Sequence, residues 1–233
     1  MAGFHDPAQD DPGGAVGQRC LLTPLASKCR AQRRRVPRFC MSPLRFPCRI
    51  DGKAITMRAD PSPSIDGVSH LRLERHEDSR GFLVETFRAS WFELPTFVQA
   101  NLSRSKKGVL RGLHYHQGQE DLWFVPDGRV FVALVDLRST SPTFMAHETF
   151  ELSGPRSVHI PVGVAHGFYA TTDALMSYFV TNYYDGSDEH GVAWNDPDIA
   201  IEWPDDHPIL SDRDQNNPYW VQVPISLRPG SAT

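Results

Sequence analysis

The sequence predicts an all-β domain of the sandwich, jelly-roll or small-barrel type. From about residue 69, short runs rich in Val, Phe, Leu and Tyr alternate with turn residues roughly every 8–12 positions, a spacing typical of these folds. The 19 Pro and 17 Gly residues favour turns over long helices. With 40% hydrophobic and 22% charged residues, the 233-residue chain can form one domain of roughly 170–200 residues. Its apolar runs fall short of the ~18 residues of a membrane helix, which argues against a membrane-spanning protein.

The strands are predicted in order from the β-rich runs and the turns that separate them. Breaks fall at Asp127-Gly128, at 139–142, at 153–155 and at Asp185-Gly186. One helical turn is expected at 90–94 and another at 211–217, and the tail from residue 226 is expected to be loose. The eight predicted strands are 82–87, 109–116, 122–125, 130–137, 147–152, 158–161, 167–171 and 175–181.

Charge divides the chain into a basic leader and an acidic domain. Residues 1–57 contain ten Lys or Arg and four Asp or Glu, a net charge of +6, so residues 58–233 carry −10. An acidic domain lacks the basic face that binds phosphates, so we expect no nucleic-acid partner. All four cysteines lie in the first 48 residues, and a domain without disulfides fits a reducing cytoplasm. The cysteine spacings match no CxxC zinc pattern.

Residues 1–60 have neither helical nor strand periodicity and are predicted to be a disordered basic extension, followed by a domain at 61–225 and a loose tail at 226–233. This extension could be a basic arm that is attracted to nucleic acid or membranes. It could also be a targeting peptide, although it has acids near its start and no continuous apolar stretch. We favour a disordered leader or upstream sequence translated from too early a start codon, with Met57 a better true start than Met41.

Histidines on one predicted strand are candidate site residues. Inward side chains of a barrel strand lie two positions apart, so His114 and His116 share a face. Arg111 lies on the opposite face unless a bulge near Gly112 intervenes. A buried imidazole costs free energy unless it is hydrogen-bonded or bound to a ligand. Two inward histidines on one strand therefore indicate a functional site.

Short motifs occur in a fixed order between residues 79 and 214. They are Ser79-Arg80-Gly81-Phe82 with Glu85, Gln99-Ala100-Asn101-Leu102-Ser103, Val109-Leu110-Arg111-Gly112-Leu113-His114-Tyr115, Val135-Asp136-Leu137-Arg138, Ser141-Pro142-Thr143-Phe144, Ile160-Pro161 with Ala165-His166-Gly167-Phe168, Thr181-Asn182-Tyr183-Tyr184, and Trp194-Asn195-Asp196-Pro197 with Trp203-Pro204. In this order and spacing they resemble the dTDP-4-dehydrorhamnose 3,5-epimerases, nucleotide-sugar enzymes with a cupin-type jelly roll (a double-stranded β-helix). The resemblance implies that fold for this chain.

The resemblance also implies a reaction: inversion at C3, C5 or both of a dTDP-4-keto-6-deoxyhexose, without a cofactor. The C4 ketone acidifies the neighbouring C–H bonds, so inversion needs a base on one face, an acid on the other and a donor for the enolate oxygen. By the resemblance, His114 is the base, Asp214 orients it and Tyr178 is the acid. The substrate-binding residues that it implies are Arg80, Glu85, Gln99, Asn101, Arg111, His166 and Tyr184. It further implies a homodimer in which the strand near Arg80 completes the neighbour's site.

Two positions depart from the family pattern. Where the family usually has a lysine that helps to hold the C4 oxygen, this chain has Asp121, and where glutamine is common it has His116. An ionised carboxylate cannot donate a hydrogen bond to the enolate. With Asp in place of Glu, the segment resembles the first metal-binding motif of the wider cupin superfamily, and the segment around His166 resembles the second.

These departures leave two rival hypotheses open. One is a metal-dependent cupin enzyme, a dioxygenase or isomerase, that holds one divalent transition metal on His114, His116, Asp121 and His166. The other is a non-catalytic protein that binds sugar nucleotides, because the expected lysine is missing. A base, its carboxylate and an opposing acid together favour the epimerase, since a binding protein does not need their positioning.

Overall fold

The computed structural model describes residues 48–50, 53–55, 57–92 and 96–230, with only the backbone described for the first two ranges. The chain divides into the units 1–40 and 41–233, and every described residue belongs to the second. The predicted basic extension therefore lies largely outside the described residues. Within the described part of the chain, no helix has both the length and the apolar character needed to cross a membrane.

The described chain is built almost entirely from β-strands. Its few helical elements are 3-10 turns at Ala89–Trp91, Gly186–Asp188, Trp220–Gln222 and Ile225–Leu227 and the short helix α1 (Asp212–Gln215). The strands are β1 (Cys48–Ile50), β2 (Lys53–Ile55), β3 (Arg58–Pro61), β4 (Ser69–Arg72), β5 (Arg75–Asp78), β6 (Gly81–Val84), β7 (Gln99–Ser105), β8 (Leu110–Tyr115), β9 (Asp121–Asp127), β10 (Val130–Asp136), β11 (His147–Leu152), β12 (Arg156–Ile160), β13 (Val164–Ala170), β14 (Ala174–Val180) and β15 (His190–Gly191).

Two antiparallel sheets form the jelly roll. The first contains five strands in the order β11-β10-β13-β8-β15, and the second contains six in the order β3-β4-β12-β9-β14-β7. On β10, Val132 and Leu134 belong to one apolar cluster, and Ala133 and Val135 belong to another. Because alternate side chains of a strand point to opposite faces, both faces of this sheet are covered. The predicted all-β jelly roll is confirmed.

The C-terminal segment packs on the face of the first sheet that points away from the second. Trp220 and Val223 join the cluster that contains Leu113 and Tyr115 of β8, and all four side chains are buried. Burying a large apolar side chain stabilises the fold by about 1.5–3 kcal/mol. This packing holds the segment that carries α1 against β8.

The structure contains all eight predicted strands, with ends shifted by at most three residues. The prediction missed β1 to β5, β7 and β15. Strand β3 begins at Arg58, ahead of the boundary expected at residue 61. The two expected helical turns are present at Ala89–Trp91 and Asp212–Gln215. In the segment expected to be loose, Arg228 donates hydrogen bonds to the backbone carbonyls of Val223 and Trp220 at 3.0 and 3.1 Å.

A β-bulge in β8 determines where its side chains point. His114 pairs with His166 of β13, whereas Arg111 pairs with Phe168, so three steps along β8 match two along β13. The extra residue brings Arg111 and His114 to the same face. This is the bulge near Gly112 on which the sequence made the position of Arg111 depend. At the bulge, Gly112 has a φ of +126°, and a Cβ there would lie 2.5 Å from the Cα of Gly167. The bulge therefore requires glycine.

We expect Gly112→Ala to destabilise the fold by at least about 3 kcal/mol, because it adds a backbone clash to an unfavourable φ. The matched control is Gly154→Ala, where φ is +60° but nothing lies within 4 Å of the added Cβ. Its cost is about 1–2 kcal/mol, from the backbone conformation alone. Urea unfolding measures both, and an equal loss in the two variants would contradict the role of the close approach.

Candidate active site

A cavity of about 500 Å³ lies between the two sheets and is lined by side chains from both. This volume is in the range of small-molecule sites. Strands β8 and β13 contribute from the first sheet, and β7, β9 and β14 contribute from the second. Of the residues singled out from the sequence, the lining includes Gln99, Asn101, Arg111, His114, His116, Asp121, His166, Tyr178 and Tyr184.

His114 and Asp214, which are 100 positions apart in sequence, form a direct pair. The Nε2 atom of His114 lies 2.6 Å from Oδ1 of Asp214. The carboxylate is buried, with 4% of the residue exposed, while the imidazole reaches the cavity. The predicted pairing of these two side chains is thus present in the geometry.

Backbone hydrogen bonds hold the segment before Asp214 alongside β8. The amide of Leu110 donates to the carbonyl of Ile209 at 3.0 Å, and the amide of Ile209 donates to the carbonyl of Gly108 at 2.8 Å. Ser211 then caps α1, because its Oγ accepts a hydrogen bond from the amide of Asp214 at 3.1 Å. The cap therefore holds the backbone of Asp214 in place.

The pairing fixes the charge of Asp214 and the tautomer of His114. Burial alone would raise the pKa of the Asp214 carboxyl, but the hydrogen bond and charge of His114 outweigh burial and hold this pKa below its usual value. An ionised Asp214 accepts the proton on Nε2 of His114. In the neutral imidazole the lone pair is then on Nδ1, which is the arrangement of a general base.

Tyr178 lies on the wall opposite His114. It belongs to β14 of the six-stranded sheet, where it pairs with Trp123 and Asn101, whereas His114 belongs to the five-stranded sheet. Burial, followed by the negative charge of Asp121, raises the pKa of the Tyr178 phenol above its usual value. The phenol therefore keeps its proton at neutral pH and can act as an acid.

Polar residues of β7 and β8 form two separate hydrogen-bonded groups beside the cavity. Gln99 donates from Nε2 to Oδ1 of Asn101 at 3.1 Å and accepts from the amide of Tyr184 at 3.1 Å. Arg111 donates from Nε to Oγ of Ser105 at 3.0 Å. Among the described residues, this leaves the NH1 and NH2 groups of Arg111 to bind an anion.

His116, Asp121 and His166 come together at the same cavity, as the metal hypothesis expected. One potential ligand atom from each lies within 4.8 Å of the other two. His114 is not part of this group, and its Nε2 is occupied by Asp214. Burial lowers the pKa of His166 to about 4, so this imidazole is neutral at physiological pH. Asp121 is 4% exposed and lines the cavity.

Two predicted binding residues lie outside the cavity of this chain. Arg80 is at the turn of the β5–β6 hairpin, where its NH2 group lies 2.6 Å from Oδ2 of Asp78. Glu85 pairs with Arg88, with a nitrogen–oxygen distance of 2.6 Å. The Arg80 side chain is 88% exposed at the hairpin turn, and that of Glu85 is largely buried beyond the end of β6.

An acidic loop at the cavity was not predicted from the sequence. Asp185, Asp188 and Glu189 all line it. Burial would raise the pKa of Glu189, but the hydrogen bond and charge of Arg213 outweigh burial and lower this pKa, so the group is ionised. The signal in the sequence was the acidic run that directly follows Tyr184, but loop residues have no period from which an inward face can be inferred.

Comparison with known proteins supplies the family. The family model described as dTDP-4-dehydrorhamnose 3,5-epimerase matches residues 62–222, more than half of the chain. This chain belongs to the dTDP-4-dehydrorhamnose 3,5-epimerase family. The resemblance inferred from the motifs is confirmed, and the match lies over the domain that carries the cavity.

Curated members of the epimerase family are close in sequence. The dTDP-4-dehydrorhamnose 3,5-epimerase of Neisseria gonorrhoeae is 42% identical over 170 residues, which are 69% of this chain and 52% of the relative. This chain thus spans about half the length of that relative. The Shigella flexneri protein of the same description is 43% identical over 157 residues, which are 63% of this chain and 87% of the relative.

Solved structures of the epimerase family share the fold. The dTDP-6-deoxy-D-glucose-3,5-epimerase of Legionella pneumophila superposes with a TM-score of 0.71 at 37% sequence identity. The match covers 76% of this chain and 100% of that structure, which was solved in complex with dTDP-4-keto-L-rhamnose.

We expect Asp214→Asn to lower the free energy of unfolding at pH 7 by about 1–3 kcal/mol, the worth of a hydrogen bond to a charged group. Since the pKa of Asp214 is lowered from 3.8, its stabilisation is complete above that value and is lost as pH falls through the lowered pKa. Urea unfolding of both proteins at pH 7 and at about pH 3 measures the difference. A difference that is unchanged at the lower pH would contradict an ionised Asp214.

Proposed function

We propose that this protein is an epimerase that inverts C3, C5 or both of a dTDP-4-keto-6-deoxyhexose in deoxysugar biosynthesis. The observation that carries the proposal is the placement of His114 and Tyr178 on opposite sheets of one cavity, with Asp214 bonded to the histidine. Inversion needs proton removal from one face and proton return to the other. A base and an acid on facing walls meet this requirement.

The reaction begins when the sugar lies between the two walls. Nδ1 of His114 removes the proton from the carbon beside the ketone, and the electron pair of the C–H bond moves to give an enolate with its charge on the C4 oxygen. Asp214 stabilises the imidazolium that forms. The Tyr178 phenol then donates its proton to the opposite face of the carbon, the enolate returns to the ketone, and solvent restores both groups. No organic cofactor is needed.

The cavity fits a nucleoside diphosphate sugar. Arg111 provides a guanidinium for the diphosphate, and Gln99 and Asn101 provide amide groups for hydroxyls. The Legionella pneumophila relative was solved with dTDP-4-keto-L-rhamnose, which has the required ketone. His166 and Tyr184 are further contacts for this ligand, because both line the same cavity.

We also propose a homodimer in which the β5–β6 hairpin completes the site of the second copy. Among the described strands, β5 and β6 pair only with each other. The hairpin presents Phe82 and Leu83, which are 60% and 51% exposed, and has Arg80 at its turn. An exposed apolar hairpin is typical of an interaction surface. Seated on a second copy, it would bring the guanidinium of Arg80 to that copy's cavity.

The composition of the domain indicates its cellular setting. We propose a cytoplasmic enzyme, since residues 49–233 contain no cysteine and the domain needs no disulfide. We propose neither a nucleic-acid nor a membrane partner for the domain, because residues 58–233 carry a charge of −10. The small-molecule substrate and the second copy are the partners that the proposal requires.

Incubation with dTDP-4-keto-6-deoxyglucose in D2O, followed by NMR, tests the proposed reaction. The protein as purified should incorporate deuterium at C3, C5 or both and invert the labelled carbon. His114→Ala should lower deuterium incorporation by about 100- to 10,000-fold, since it removes the base. Tyr178→Phe should lower inversion by a similar factor while exchange continues, because the base can return a solvent deuteron to the original face.

Matched controls separate these effects from damage to the fold. His159→Gln removes a histidine that pairs with Glu120 outside the cavity lining, and Tyr169→Phe removes a buried phenol that donates to Asp205 at 3.2 Å. Both should keep exchange and inversion within about threefold. Deuterium exchange by His114→Ala at the rate of the unmodified protein would contradict the proposed mechanism.

Light scattering coupled to size-exclusion chromatography tests the dimer. We expect the mass of two copies for the unmodified protein and a shift towards one copy for Phe82→Asp, because a charge in an apolar contact is costly to desolvate. Ile225→Asp, at a side chain that is 73% exposed in the C-terminal 3-10 turn, is the control and should leave the mass unchanged. A single-copy mass for the unmodified protein would exclude the shared site.

A further inference from the structure

The cavity has an unusual charge for a site that handles an enolate. Among its described lining residues, Arg111 is the only lysine or arginine, whereas Asp121, Asp185, Asp188 and Glu189 are carboxylates. A dTDP-sugar carries a diphosphate, and the reaction adds negative charge at the C4 oxygen. Positive charge close to that oxygen is therefore the component that this set of side chains lacks.

Three side chains in the cavity lining, those of His116, His166 and Asp121, have hydrogen-bond acceptor atoms close to one another. Nδ1 of His116 donates to the backbone carbonyl of Asp188 at 2.7 Å, and Nδ1 of His166 donates to the backbone carbonyl of Val164 at 3.0 Å. In each neutral imidazole this leaves Nε2 with a lone pair. Nε2 of His166 lies 4.0 Å from Oδ2 of Asp121, too far for a hydrogen bond between them. Two lone pairs and a carboxylate around one point fit a cation.

The surroundings hold these three groups in place. Asp121 accepts hydrogen bonds from Nε2 of Gln119 at 2.9 Å and from Nε1 of Trp123 at 3.0 Å. The indole of Trp123 also packs edge-to-face on the His166 ring, with centroids 5.1 Å apart. Outer hydrogen bonds of this kind orient metal ligands and fix their tautomers. Each carboxylate oxygen keeps a second lone pair for a metal.

We propose that His116, Asp121 and His166 bind one divalent transition-metal ion, which supplies positive charge beside the C4 oxygen of the substrate. Two imidazoles and one carboxylate suit Zn²⁺, Co²⁺, Mn²⁺ or Fe²⁺. Ligand atoms around such an ion are about 3–4 Å apart when each bond is about 2.1 Å long. The spread of up to 4.8 Å therefore requires side-chain movements of less than about 1 Å.

The proposed ion lies between the strand of the base, His114, and the strand of the acid, Tyr178. His166 is the partner of His114 across β8 and β13, and Asp121 is the partner of Val180, two residues beyond Tyr178, across β9 and β14. The ion thus lies where the enolate charge develops, at the position where the family resemblance places a lysine ammonium. This role rests on the proposed epimerase function, whereas the binding site itself does not.

Titration of the full, untagged chain with CoCl₂ after dialysis against EDTA tests the site. Calorimetry and the visible absorption of bound Co²⁺ should both report one ion per chain. Asp121→Asn and His166→Gln should each weaken binding by at least about 100-fold, because each removes a ligand. His159→Gln, which alters a histidine–carboxylate pair outside the cavity lining, should bind Co²⁺ like the unmodified chain. Absence of saturable binding to the unmodified chain would overturn the site.

The double variant His116→Gln with Asp121→Lys tests the role of the ion. It carries the residue types that the family resemblance places at these two positions, so its lysine ammonium replaces the ion. It should bind no Co²⁺ and should exchange deuterium equally with and without EDTA, whereas EDTA should slow exchange by the unmodified chain at least tenfold. Thermal unfolding checks that the variant folds.

The two proposals can fail separately. Saturable Co²⁺ binding together with EDTA-insensitive exchange by the unmodified chain would keep the site and overturn its role in epimerisation. Binding without any exchange into the keto sugar would keep the site and overturn the proposed function.

Discussion

The arrangement of the site depends on one close backbone approach, between Gly112 of β8 and Gly167 of β13. A side chain at Gly112 would meet the neighbouring strand at 2.5 Å, so the two strands can approach only where both residues are glycine. The bulge that results places Arg111 and His114 on one face. In a regular strand these residues, three positions apart, would point in opposite directions, and the proposed anion-binding group would be separated from the proposed base.

The facing sheets solve the geometric problem of inversion. A base and an acid on one strand would act on the same side of a sugar ring, whereas His114 and Tyr178, the proposed base and acid, extend from different sheets. Rigid strands fix both groups before the substrate binds, so little reorganisation is left for the reaction itself. The one component that neither sheet supplies is Asp214, which α1 delivers from the C-terminal segment. The packing of Trp220 and Val223 on β8 therefore serves the site as well as the core.

Sequence reasoning predicted the parts of the molecule in which burial follows a regular period. Strands such as β10 are buried on both faces and appear as apolar runs between turns. Strand β7 was missed because its half-buried face is polar, with Gln99, Asn101 and Ser103, while Ala100 and Leu102 are exposed, the reverse of the usual alternation. The inward faces of His114 and His116 followed from parity, but the position of Arg111 depended on a bulge that parity could not reveal. The pairing of Asp214 with His114 came only from the family resemblance, because a contact over 100 positions leaves no local pattern.

This chain has Asp121 where the family resemblance places a lysine, and the charge of the whole cavity gives this difference its meaning. A lone substitution of this kind would place a carboxylate beside a developing enolate and raise the barrier by repulsion. In this chain His116 differs from the usual glutamine at the same time, and the two changes produce, with His166, a set of three acceptors without a donor. An arginine from a second copy would neutralise the diphosphate, but its hairpin is anchored outside the two sheets. The cation proposed on β9, β13 and the end of β8 would be local to the ketone and would compensate the charge where it forms.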